Sequence, residues 1–207
     1  MTRPQRLSRD ESRAQTKERL IEAARRVFAR GGYGGASVDT IAAEAGYSKG
    51  AFYSNFESKE AIFLELLARH MAGEAEQLSR LVGSHRTAGD TLDSLDIWLE
   101  QMNADADWAL LSMELQLHAR RSATFALAYD ALYSRHRERL GELVARVFAL
   151  SGKALPAPAV DLAAALMALG HGMVLQRTRY ADGGDPAGPL IKTVLRSLIA
   201  AADEATP

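Results

Sequence analysis

Residues 37–59 read SVDTIAAEAGYSKGAFYSNFESK, a stretch in which three helix starts are legible from local signals alone. Ser37, Ser48 and Ser58 each stand where a hydroxyl can accept a backbone N–H in a first helical turn, and Gly46 stands where the first helix must end. The result is two short helices joined by a tight turn, followed by the start of a longer one. Ile41 and Ala45 fall on one face of the first helix, and Phe52 and Phe56 on one face of the second; both faces are expected to point inward. Ala42 is small enough to let the second helix cross closely, and Gly50 lets the backbone near the start of that helix approach another molecule. The outer face carries Lys49, Tyr53, Ser54 and Asn55, with Lys49 and Tyr53 one turn apart. A helix-turn-helix of this kind is a unit that reads DNA.

The rest of the chain bounds what can surround that unit. With 207 residues, 47% of them apolar, the chain can bury a small module joined to a larger domain. Ala, Leu, Glu and Arg dominate the long stretches between Gly and Pro, so an all-α fold is expected. No apolar run reaches transmembrane length and the N-terminal MTRPQRLSRDESR has no apolar signal-peptide core, so no membrane association and a cytoplasmic location are expected. Without cysteine, disulfides, zinc–thiolate sites and thiol nucleophiles are excluded. The net charge of -1 hides an asymmetry: residues 1–60 hold 11 Lys and Arg against 8 Asp and Glu, whereas residues 61–207 hold 14 against 18. The basic end is the helix-turn-helix end.

Residues 1–12, with Arg3, Arg6 and Arg9, are expected to form a flexible basic arm. A first helix over 12–30 would bury Leu20, Ile21, Ala24, Val27 and Phe28, and Gly31 and Gly32 would stop it. The following GGYGG lacks the lysine and hydroxyl of a phosphate-binding loop and comes after a helix, so it is read as a turn. A helix from Ser58 to Val82, about 35 Å long, would link the two parts of the chain. Further helices are expected over 91–102, 108–120, 123–150, from Pro156 or Pro158 to about 180, and over 189–202. The last places Leu190, Ile191, Val194, Leu195, Leu198 and Ile199 on one face. With Ala164, Ala165, Ala168 and Gly172 allowing close approach, segments 159–180 and 189–202 are expected to meet a second copy in a four-helix bundle; the alternative is that both faces pack internally.

From Thr16 to Ala68 the combination of caps, glycine, lysine and aromatics resembles the DNA-binding signature of the TetR family of bacterial transcription regulators. The resemblance implies an N-terminal three-helix DNA-binding domain over 13–60 and a larger helical domain over 61–207 that binds an effector and dimerises. It implies a homodimer acting on double-stranded operator DNA, released by a small-molecule effector, with repression as its sign. It carries over onto Lys49, Gly50, Ala51, Tyr53, Ser54, Asn55 and Lys59 as the DNA-facing positions. Lys49 could reach a phosphate or a guanine edge and Asn55 a base edge, while Ser37, Tyr53 and Lys59 suit phosphates. Ser48 and Ser58 are read as caps. Asp39 departs from what a phosphate-facing position prefers, and its carboxylate complements the positive end of its own helix.

An effector site within 61–207 could draw on Trp98, Met102, Trp108, Met113, Leu117, Phe125, Tyr129 and Met173, each of which could equally be core. Polar residues amid apolar neighbours are sharper candidates, namely Glu114, Gln116, His118, His171 and Gln176, because a buried polar group needs a partner. Glu114 and His118, one turn apart, could also simply pair with each other. The five histidines are scattered without HxxxH or HExxH, so no metal is expected. No nucleophile elbow, cofactor loop or acid pair appears, so neither catalysis nor a cofactor is expected. The alternative is a small all-α enzyme or ligand-binding protein that keeps a vestigial helix-turn-helix.

Overall fold

The computed structural model describes residues 8–102, 106–176 and 187–205, which form helices throughout, without a strand. In chain order these are α1 (Arg9–Gly35), α2 (Val38–Glu44), α3 (Lys49–Tyr53), α4 (Lys59–Ser84), α5 (Ala88–Met102), α6 (Ala106–Ala119), α7 (Ala123–Leu150), α8 (Ala159–Gln176) and α9 (Ala187–Ala201). The chain separates into two compact units between Arg69 and His70, so the first turns of α4 go with α1, α2 and α3.

In the first unit the expected stripe of α1, Leu20, Ile21, Ala24, Val27 and Phe28, is buried. Phe28 meets Phe63 of α4 edge-on at 4.6 Å between ring centroids, and Tyr33 meets the same ring at 5.5 Å. Burial of each large aromatic stabilises the unit by about 2–3 kcal/mol. The helix starts earlier than expected because Ser8 and Glu11 form a reciprocal capping box. It also ends later: the backbone breaks at Gly32, with φ 66°, then resumes helical form to Gly35 and drops Tyr33 into the core, so GGYGG is a kinked helix end rather than a free turn. Ion pairs tie α1 to its neighbours: Arg69 holds Glu18 through two guanidinium nitrogens, and Arg26 and Arg30 converge on Glu44 of α2. Glu44 is held below its ordinary value by Arg30 first and Arg26 second.

In the second unit Val82, Leu92, Val144, Val147, Phe148 and Leu195 form a core between α4, α5, α7 and α9. Gly141 lies where α7 presses on the start of α8; a Cβ there would sit 3.1 Å from the backbone carbonyl carbon of Ala159 and the nitrogen of Val160. Pro158 stands just before α8, accepting the amides of Asp161 and Leu162. The segment after α7 is pinned to the chain's last residues, with Ala154 N donating to Asp203 O and Ala205 N to Gly152 O, both at 2.9 Å.

The expected apolar face of α9 is split. Leu195 is buried inside its own unit, whereas Leu190 is exposed; on α8, Ala165, Ala168 and Leu175 are exposed. Leu195 is therefore core and not a surface available to a second copy. Residues 177–186, the final part of the expected 159–180 segment among them, lie outside the described residues, as does the arm over 1–7.

Candidate nucleic-acid interface and ligand cavity

The turn between α2 and α3 follows from local hydrogen bonding. Ser37 Oγ accepts Thr40 N at 3.0 Å and Ser48 Oγ accepts Ala51 N at 3.2 Å, opening the two helices. α2 closes with Gly46 N donating to Ala43 O and Tyr47 N to Ala42 O, a paired closure that places Gly46 at φ 76°, where a side chain would be strained. Ser58 Oγ accepts Ala61 N at 3.1 Å and opens α4.

α3 is only five residues long, which divides the expected outer face. Phe52 is fully buried, whereas Lys49, Gly50, Tyr53 and Ser54 are exposed and Ala51 is half-buried. Tyr53 is 51% exposed. Around Gly50 there is room, since a Cβ would meet only Ser48 Oγ at 3.7 Å. Ser54 closes α3 with its hydroxyl donating to Gly50 O, while its own carbonyl accepts Arg13 of α1 at 3.1 Å. Lys49 Nζ lies 3.0 Å from Asp39 Oδ2, and that bond raises the ammonium's pKa. Asp39 is thus both a first-turn acid of α2 and the counter-ion of Lys49.

Two of the expected contact residues already have partners within the unit. Asn55 lies past the end of α3, half-buried, with Nδ2 donating to Ala51 O at 2.8 Å, a bond that ties its amide to the local backbone and leaves Oδ1 and the second N–H unused by it. Lys59 Nζ donates to Tyr33 O and Ala36 O, both at 2.9 Å, and stands 4.2 Å from the centre of the Tyr33 ring. It fastens the end of α1. Phe56 is buried as expected but also lies past α3, and Ala45 caps α2, half-buried.

The second unit holds a cavity of about 240 Å³ between α4, α5, α6, α7, α8 and α9. Its walls are chiefly aliphatic, with His70, Glu74, Trp108, Ser112, His171 and Lys192 interrupting them. Among the expected ligand residues, Trp108 and His171 line it. Trp108 stacks on His70 at 4.2 Å between centroids. His171 has its pKa lowered by burial first, with Glu74 opposing that shift and His136 adding to it.

The other expected ligand residues are placed elsewhere. Trp98 donates Nε1–H to Gln77 Oε1 at 3.2 Å. Met113 is core; Glu114, Gln116 and Leu117 are exposed on α6. His118 packs edge-on against Phe125, which begins a stack running through buried Tyr129 to half-buried Tyr133. Met173 is half-buried and Gln176 exposed, neither on the cavity wall. The Met102 side chain lies outside the described residues. His70, Glu74, Ser112 and Lys192 went unforeseen. The available signal was the row His70, Glu74, Leu78, Val82 at four-residue spacing, two polar groups on an otherwise apolar face of α4. Among the described residues no three His, Asp or Glu converge as a metal ion would require, and no helix is long and apolar enough to cross a membrane.

Comparison with known proteins agrees with this architecture. Residues 20–66 match the family model of bacterial regulatory proteins, tetR family. The uncharacterized HTH-type transcriptional regulator YerO of Bacillus subtilis (strain 168) is 50% identical over 48 residues, 23% of this chain and only 17% of that protein's length. The HTH-type nicotine-responsive transcriptional repressor HdnoR of Paenarthrobacter nicotinovorans is 28% identical over 82% of this chain and 86% of its own. A solved transcriptional regulator of the TetR family from Agrobacterium tumefaciens superposes with a TM-score of 0.68 at 21% identity, covering 90% of this chain and 98% of that one.

Proposed function

We propose that this chain, a member of the tetR family of bacterial regulatory proteins through its residues 20–66, is a ligand-responsive, DNA-binding transcription regulator that represses as a homodimer. The observation that carries this reading is the exposed edge of α3. Phe52 anchors the helix in the core while Lys49, Gly50, Tyr53 and Ser54 face outward beside the capped start of α2. Such an edge can enter a major groove, with hydroxyls, an ammonium and first-turn amides on phosphates and the glycine admitting close approach. Two copies would place their recognition helices about 34 Å apart, so the operator is an inverted repeat. In domain terms, residues 13–60 bind DNA and residues 61–207 bind the effector and dimerise through the exposed sides of α8 and α9.

The cavity supplies the switch. α4 contributes Lys59 to the first unit and His70, Glu74, Leu78 and Val82 to the cavity wall, so a ligand that favours one position of α4 biases DNA binding. The bias equals the ligand's differential affinity for the two states, with about 1.4 kcal/mol giving a tenfold change. That HdnoR is a nicotine-responsive repressor supports both the sign and the small-molecule trigger. Selection of bound fragments from randomised DNA tests the reading: an inverted-repeat consensus whose binding falls steeply with salt is expected. Enrichment of no sequence, or equal enrichment by Lys49→Ala, overturns it.

A further inference from the structure

The cavity of the second unit is chemically lopsided. Along α4, His70 and Glu74 lead to Leu78 and Val82, about 18 Å from first to last at 1.5 Å per residue. Trp108, stacked on His70, joins the polar end. Val82 belongs to the opposite, aliphatic end with Leu92, Val147 and Leu195.

Two lining residues carry charge, and they differ in setting. The Lys192 ammonium is 3.3 Å from Asp93, an exposed carboxylate that also takes Arg196 at 2.7 Å, so its charge is opposed at the solvent side. Glu74 is only 18% exposed. Its contact with His136 Nε2, at 3.4 Å, is long for a hydrogen bond and leaves carboxylate lone pairs available to a ligand N–H. His136 is itself 4% exposed. His171, driven toward its neutral form by burial, adds no fixed positive charge beside Glu74 at neutral pH. A ligand carboxylate placed here would face Glu74 in a medium that screens it poorly, whereas a ligand cation would be matched.

We propose that this cavity takes a small lipophilic amine, its apolar body among the aliphatic side chains and its protonated nitrogen against the Glu74 carboxylate. A volume of about 240 Å³ lies below the roughly 300 Å³ at which drug-sized pockets begin, which favours a compact molecule. The proposal rests on the effector-cavity reading above, and binding measured without DNA separates the two.

The test uses the full chain carrying Trp98→Phe, which leaves Trp108 as the single indole, since the sequence has two tryptophans. Its fluorescence is titrated at pH 7.5 with octylamine, octanol and octanoate. Octylamine is expected to bind at least tenfold more tightly than octanoate, with octanol between them. Glu74→Gln is expected to bring octylamine and octanoate within threefold of each other, and Lys192→Met to leave the order unchanged. Octanoate binding as tightly as octylamine, silence toward all three, or a preference that follows Lys192 overturns the proposal. Should Glu74→Gln fail to fold by circular dichroism, the ranking in the Trp98→Phe chain and in Lys192→Met still decides. Amine binding that leaves an operator complex intact would count against the effector reading while sustaining the amine assignment.

Discussion

Lys49 on α3 and Asp39 on α2 face each other across the helix-turn-helix, Nζ to Oδ2 at 3.0 Å, so the cation best placed for a phosphate is already engaged by an acid of the same unit. DNA must compete with that carboxylate. Lys49→Ala is expected to weaken operator binding roughly ten- to hundredfold. Asp39→Asn is expected to tighten it severalfold and to steepen the salt dependence by about one released ion, because one repulsive charge disappears and the ammonium is freed. Fluorescence anisotropy against labelled operator at several salt concentrations measures both.

Lys59→Met is expected to lower stability more than affinity. The ammonium's two bonds to the Tyr33 and Ala36 carbonyls would be lost, leaving acceptors in a partly buried site, a cost of about 2–4 kcal/mol. Urea unfolding should show it, while operator affinity at low temperature, where the unit stays folded, should change less than threefold.

Gly141→Ala should destabilise the second unit even though alanine is the better helix former. Overpacking against the Ala159 and Val160 backbone, which would have to yield by a few tenths of an ångström, costs about 1–3 kcal/mol, against about 1 kcal/mol gained in propensity. A midpoint that rises on substitution would mean that α7 and α8 are free to separate.

His171 predicts a pH dependence with a definite sign. Its folded pKa is depressed by burial, so below about 6.5 the unfolded chain binds a proton that the folded chain resists. Stability is then flat above pH 7 and falls as pH drops from about 6.5 toward the lower folded value. Glu18 and Glu44, depressed by Arg69 and by Arg30 with Arg26, lose their contribution only below the ordinary carboxylate range. Urea midpoints of His171→Gln should lack the upper of these two declines.

Leu175→Glu should separate a homodimer into folded monomers, since Leu175 is 62% exposed on α8. Leu195→Glu should instead unfold the second unit, because Leu195 is core. Light scattering combined with circular dichroism distinguishes the two outcomes.

What could be read from the chain follows the range of the interactions. Ser37, Ser48 and Ser58 accept amides three residues ahead and Gly46 donates its own amide to a carbonyl three residues back, so their roles are legible from the order of residues. The internal partners of Lys59 are not legible because they lie 23 and 26 residues earlier, and the setting of Asn55 is not because α3 stops two residues short of it. The cavity depended on six helices meeting. Periodicity marks Trp108, Phe125 and Tyr129 alike as apolar, and only packing sends Trp108 to the cavity and the others into a ring stack. Glu74 is only half legible: its row on α4 marks a polar group on an apolar face, but not that a cavity forms beside it.

A helix of five residues is too short to persist alone in water. α3 holds its form because Phe52 is buried beneath it, Ser48 opens it, and Arg13 grips the carbonyl at its end. Those anchors act through the core and through backbone groups of α3, not through the side chains of Lys49 or Tyr53. The exposed positions Lys49, Gly50 and Tyr53 can therefore be exchanged as a replaceable typeface while the press that holds them stays fixed, which makes this segment suitable for resetting which DNA word is read.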